Sequence, residues 1–158
     1  MSKLFITISL ILILLSDTSA LACTNRVPAR KYKLVLTLKE TTICDNNNQC
    51  MGQGYASSPG NGGTFNLKMV GRSGTNSYVY EVTNDDFELF SQVATVTCSQ
   101  FSITILGKII LNEVTKYKPI ELTGYIKSDK SIFGTYSRDI IESTFSLTES
   151  GTFIARSK

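Results

Sequence analysis

The chain has no histidine. That removes Ser-His-Asp and Cys-His nucleophilic catalysis, the histidine general base and every histidine-ligated zinc site. Four cysteines and thirteen carboxylates remain as reactive side chains. The cysteines, Cys23, Cys44, Cys50 and Cys98, lack the C-x-x-C spacing of a zinc site. Carboxylates alone support glycoside hydrolysis when two stand about 5 to 9.5 Å apart across a cleft. The densest group, Asp85-Asp86 with Glu88, reads instead as the solvated first turn of a short helix, which its dipole favours. No calcium loop opens at Asn84 or Asp85, because the acids do not alternate and no turn glycine follows. Asp45-Asn46-Asn47-Asn48-Gln49 also fails as a calcium loop. Cys50 stands where the turn glycine belongs and Ala56 where the closing glutamate belongs. The glycine stretches Gly52-Gln53-Gly54 and Gly60-Asn61-Gly62-Gly63 lack the Gly-Lys-Ser/Thr of a phosphate cradle. No catalytic residue, metal or cofactor is expected, and a secreted carboxylate-dependent hydrolase is the enzymatic alternative.

The cysteines take their meaning from the first residues. Lys3 makes a positive start, Leu4–Leu15 is apolar except for Thr7 and Ser9, and Ser16-Asp17-Thr18-Ser19 is polar. Ala20-Leu21-Ala22 is a small-x-small cleavage site, so residues 1–22 read as a secretory signal peptide. The apolar run is too short for the roughly 20 residues of a membrane-spanning helix. In an exported chain an even number of cysteines favours disulfides. Of the three pairings that four cysteines allow, Cys44–Cys50 would close the Asn-rich turn, leaving Cys23–Cys98 to tie the N-terminus to the domain. Cys23 is also a lipidation candidate, because it directly follows the cleavage site as in a bacterial lipobox. Here Ala20 occupies the usual leucine position, with Leu21 one place later, and lipidation would leave an odd cysteine. The two readings place the protein differently: secreted, periplasmic or at the cell surface, or anchored to the outer membrane through Cys23.

Removing 22 of the 158 residues leaves one domain, 23–158, large enough to bury a real core. The segment removed carries Lys3 and Asp17, so the net charge stays at +3. The basic residues are spread, with no run longer than Arg30-Lys31. Nucleic acid, which needs a concentrated basic patch, is therefore not an expected partner.

The elements that must position any site are strands. Tyr32–Leu38, Phe65–Val70, Tyr78–Val82, Val93–Cys98, Phe101–Leu111 and Ile120–Ile126 are apolar in alternation or β-branched, and so are Ile132–Tyr136, Ile140–Leu147 and Thr152–Arg156. A break near Gly107 would split Phe101–Leu111 in two. Ser128–Ser131 and Glu149-Ser150-Gly151 read as tight turns. One short helix is predicted over Asp85–Ser91, capped by Thr83 or Asn84. Glu40–Gly63 reads as a long loop, stapled by a disulfide or used for recognition. Six tyrosines, Tyr55, Tyr78, Tyr80, Tyr117, Tyr125 and Tyr136, supply the one hint of binding. Their placement predicts that most are core. Gly-Thr-aromatic recurs at Gly63, Gly134 and Gly151, with glycine allowing close approach and the aromatic pointing inward.

Gly124-Tyr125-Ile126, Gly134-Thr135-Tyr136 and Ser150-Gly151-Thr152-Phe153-Ile154-Ala155-Arg156 resemble the last hairpins of small exported bacterial β-barrels, lipocalin-like or avidin-like. The chain has no tryptophan, so the lipocalin Gly-x-Trp motif and the avidin biotin site are absent, and the resemblance implies architecture only. The expected fold is all-β, a single antiparallel β-barrel or strongly curved β-sandwich of about eight or nine strands. The expected function is that of an exported non-enzymatic binding or cell-envelope surface protein. Its partner would be a small apolar ligand in the barrel, or an extracellular protein or glycan at the loops. An envelope-anchored structural lipoprotein is the third reading, in which the membrane is reached only through lipid on Cys23.

Overall fold

A computed structural model describes residues 26–55, 60–84, 90–111 and 114–158. Residues 1–22, read as a signal peptide, and Cys23 lie outside the described residues, as do Asp85, Asp86 and Glu88. The described chain is all-β. Its strands are β1 (Lys31–Asp45), β2 (Cys50–Gly54), β3 (Gly63–Gly74), β4 (Ser77–Thr83), β5 (Phe90–Thr97), β6 (Gln100–Leu111), β7 (Val114–Ile126), β8 (Ile132–Ile141) and β9 (Phe145–Ser157). Every pairing is antiparallel, β3 to β9 follow one another as a meander, and β1 pairs with both β3 and β9. That last pairing closes an eight-stranded barrel, which removes the free edges an open sheet would leave. β2 stands outside the ring, paired with the upper part of β1.

The alternation read from the sequence sets the inside of the barrel. Tyr32, Leu34 and Leu36 of β1, Tyr78 and Tyr80 of β4, and Ile120 and Leu122 of β7 are all buried. The interior is filled by side chains, including the fully buried Phe101, Ile105, Phe153 and Ile132. One end is plugged by the N-terminal approach. Ala29 donates its N–H to the Tyr32 hydroxyl (2.7 Å), which donates to the Lys130 carbonyl (2.9 Å). The Tyr80 hydroxyl donates to the Ala29 carbonyl (2.8 Å). This is the N-terminal end; the mouth is at the other.

Burial pushes the Tyr32 hydroxyl up to about 12, aided by nearby Asp129, and pushes Tyr80 higher still. A tyrosine whose folded pKa lies above its unfolded value contributes stability that is full below about pH 10 and falls as pH rises toward the folded value. The barrel is therefore expected to unfold in alkali above about pH 10. Exposed tyrosines can ionise from the folded barrel, but part of the tyrosinate absorbance at 295 nm should appear only with the loss of β circular dichroism. A complete rise from a still-folded barrel would contradict the buried tyrosine cluster.

Five expectations change. Glu40–Gly63 is not a long loop: β1 runs on to Asp45 and β2 pairs with it from Cys44↔Cys50 to Glu40↔Gly54. The β-branched Thr41, Thr42 and Ile43 extend the strand, and a Cys44–Cys50 disulfide closes its tip. β6 passes through Gly107 unbroken, because β7 pairs with it on both sides, Leu106 with Pro119 and Lys108 with Tyr117. The predicted strand Ile140–Leu147 is divided by a turn at 142–144, while Glu149-Ser150-Gly151 lies inside β9. Gly151 serves close approach there, since a Cβ would lie 2.1 Å from the Thr37 carbonyl oxygen. Phe90 and Ser91, assigned to the helix, open β5 instead; Phe90 pairs with Val82 of β4. The Ser128–Ser131 turn forms as expected, closed by Lys127 N–H on the Ser131 carbonyl (2.8 Å).

Candidate functional site

Toward the mouth the barrel wall separates. β5 and β6 pair only over Ala94–Thr97 and Gln100–Ile103, and β7 and β8 only over Glu121–Ile126 and Ile132–Ser137. Residues 104–111 and 114–120 therefore form an arm in which β6 and β7 pair with each other alone. Pro119 stands where β7 has lost β8, the edge position a proline tolerates. Side chains hold the arm to the wall. Lys116 (2.6 Å) and Lys118 (3.3 Å) both reach the Glu142 carboxylate. Arg138 ion-pairs with Glu149 and lies within 3.5 Å of the Lys108 carbonyl. The hydrogen bond from Lys116 keeps Glu142 below the usual carboxylate range. Beside this cluster the buried Tyr136 hydroxyl finds no hydrogen-bond partner among the described residues, and desolvation raises it to about 12.

The outer wall across β7, β8, β9 and β1 is the more ordered surface. Register places Thr123 opposite Thr135, Thr135 opposite Thr152 and Thr152 opposite Thr37, a four-strand row of threonines. One row toward the mouth, Glu121, Ser137, Ser150 and Glu40 align in the same way. An open groove of about 420 Å³ lies over these two rows, lined by Lys39, Glu121, Thr123, Thr135, Ser137 and Thr152 among others. One row toward the N-terminal end, Tyr125, Phe133, Ile154 and Val35 align, and Tyr125 is 62% exposed. Beyond them Arg156 faces Lys33. A second groove of about 300 Å³ runs between Lys33, Val35, Ile154 and Arg156. Rows two residues apart are about 6.7 Å apart, so hydroxyls, apolar side chains and cations succeed one another over about 20 Å of one face. Sharp alternation puts these residues outward; barrel closure puts them side by side.

The sequence candidates fall as follows. Cys44 and Cys50 are joined, Cys98 is also disulfide-bonded, and Cys23 lies outside the described residues. Asp45 accepts hydrogen bonds from the N–H groups of Asn47 and Gln49 (both 2.9 Å), so its carboxylate shapes the β1–β2 turn. Three of the six tyrosines, Tyr78, Tyr80 and Tyr136, are core, fewer than the predicted majority; Tyr55, Tyr117 and Tyr125 are exposed. The threonine row escaped sequence reasoning, although Thr37, Thr123, Thr135 and Thr152 each occupy the outward phase of a recognisable strand. Among the described residues no group of three or more metal-ligating side chains gathers. No described helix is long and apolar enough to cross a membrane.

No protein-family model and no curated protein matches the chain. Among solved structures it is similar to a mutant of the vaccine antigen transferrin binding protein B from Haemophilus parasuis, with 11% identity and a TM-score of 0.38. The match covers 84% of this chain and 27% of that one, so the chain spans about a quarter of that protein's length.

Proposed function

We propose that this is an exported, non-enzymatic binding protein that holds an extracellular glycan on the outer wall of its barrel. The observation that carries the reading is the groove over the threonine row. Hydroxyls, the Glu121 carboxylate and Lys39 line it, and Tyr125 and Phe133 border it. That combination suits a sugar, whose hydroxyls need donors and acceptors and whose ring faces need apolar partners. A small apolar ligand inside the barrel is less well supported, because side chains occupy the interior. A hydrolase is also less well supported. Glu142 and Glu149 are engaged by cations, and Glu142 is held low where a general acid needs a raised pKa.

Binding of immobilised glycans by the purified chain from residue 23 tests the proposal, compared with Tyr125→Ala and Thr135→Val. Both positions are exposed, so folding is expected to stay within about 0.5 kcal/mol of the parent. Each variant should weaken glycan binding at least tenfold. Unchanged affinity in both would place the ligand elsewhere, and no glycan retained by the parent would end the proposal.

A further inference from the structure

The groove wall ends in cations. Its own carboxylates, Glu121 and Glu40, lie three rows away toward the mouth. Glu81, two strands along from Lys31, is engaged by Lys68 (3.3 Å). Lys33 and Arg156 are direct cross-strand neighbours, and like charges so placed work against the sheet. Lys31 and Lys158 extend the row along the same two strands, joined through the Lys158 N–H and the Lys31 carbonyl (3.2 Å). Lys127 and Lys130 continue it in the β7–β8 turn. Ion pairs among the described residues engage Lys68, Lys116, Lys118 and Arg138, and none of these six. Asp129 is the one carboxylate in that turn, and it accepts from the Ser131 N–H (2.9 Å) and hydroxyl (2.5 Å). Lys127 lies over the Phe133 ring at 3.9 Å, so cation and apolar rows meet. The net charge of +3 spread along the sequence conceals this gathering. Like charges kept adjacent and unpaired on a folded surface favour a ligand that brings the counter-charge.

We propose that the ligand is an acidic glycan, with sugar rings over the threonine row and sulfate, phosphate or carboxylate groups at Lys33 and Arg156. This rests on the glycan reading and adds the charge of the ligand. A sugar polymer is favoured over an anionic bilayer because the cations border a hydroxyl-lined groove and not an apolar face alone.

The test compares dextran with dextran sulfate, which share a backbone, and adds phosphatidylglycerol vesicles, all against the chain from residue 23. Dextran sulfate should bind at least tenfold more tightly than dextran, and 0.5 M NaCl should erase most of the difference. Lys33→Gln/Arg156→Gln should cost at least tenfold with dextran sulfate. Lys108→Gln, which removes a charge near the mouth, should change affinity less than twofold, whereas Lys33→Gln alone should exceed that. Tyr125→Ala should weaken dextran sulfate binding as well. Equal binding of dextran and dextran sulfate overturns the acidic assignment and leaves the glycan reading standing. Equal losses from Lys33→Gln and Lys108→Gln also overturn it, since net charge alone would then be acting. Vesicle binding with neither polymer bound overturns both readings in favour of a membrane.

Discussion

Gly134→Ala is expected to destabilise the barrel by about 3 kcal/mol, the upper range for overpacking. Gly134 of β8 stands opposite Gly124 of β7. A Cβ on Gly134 would lie 2.1 Å from the Thr123 carbonyl oxygen, 2.5 Å from the Gly124 Cα and 2.8 Å from the Phe153 ring. The first two are backbone atoms, so no rotamer change relieves the overlap; the two strands must part. Phe153, the cross-strand partner of Gly134 in β9, covers the paired glycines with its ring and fills the space two side chains would otherwise take. Parting the strands breaks that packing and the register of the threonine row. Gly71→Ala is the control, because a Cβ there meets nothing within 4 Å; it should stay within about 0.5 kcal/mol. Urea midpoints at constant m-value measure both. Equal midpoints for Gly134→Ala and the parent would show that β7 and β8 are not so closely joined.

Arg138→Met is expected to cost about 2 to 3 kcal/mol, somewhat below the value for breaking a fully buried pair. The side chains of Arg138 and Glu149 are 14% and 17% exposed, and both point inward from neighbouring strands. Removing the guanidinium strands the Glu149 carboxylate in a poorly solvated mouth, beside a Tyr136 hydroxyl that has no partner among the described residues. It also removes the Arg138 reach to the Lys108 carbonyl, one of the contacts that hold the arm of residues 104–111 and 114–120. Arg138→Met/Glu149→Leu should recover most of the loss, since replacing both charges leaves nothing uncompensated. A double-mutant cycle on thermal or urea unfolding isolates the coupling. Additive losses would mean that the pair is solvated and contributes little. Glycan affinity should be nearly unchanged in the double variant, because neither residue lines the outer wall.

Much of the wall was legible in the chain, strand by strand. Tyr32, Leu34 and Leu36 against Lys33 and Val35, or Leu122 and Gly124 against Thr123 and Tyr125, show by period two which side chains share a face. The Gly-Thr-aromatic triplets marked the close approaches at Gly134 and Gly151, and the inward Phe65, Tyr136 and Phe153. Strand ends were less legible. Polar Thr41 and Thr42 look like loop residues, but β2 and β9 supply their backbone partners. Glu149-Ser150-Gly151 has turn composition, but β1 and β8 hold it extended from either side.

The sequence alone determined an all-β chain with alternating inward apolar residues, no histidine and no tryptophan, and it carried the expectation of export in residues 1–22. Those properties depend on composition and on neighbours two residues apart. Tertiary structure decided what lies beside what. Closure of β9 onto β1 brings Thr152 to Thr37, Ile154 to Val35 and Arg156 to Lys33, residues more than a hundred positions apart. Register between distant strands is set by how the whole ring closes. The groove, its apolar border and its unpaired cations therefore exist only once the barrel has formed.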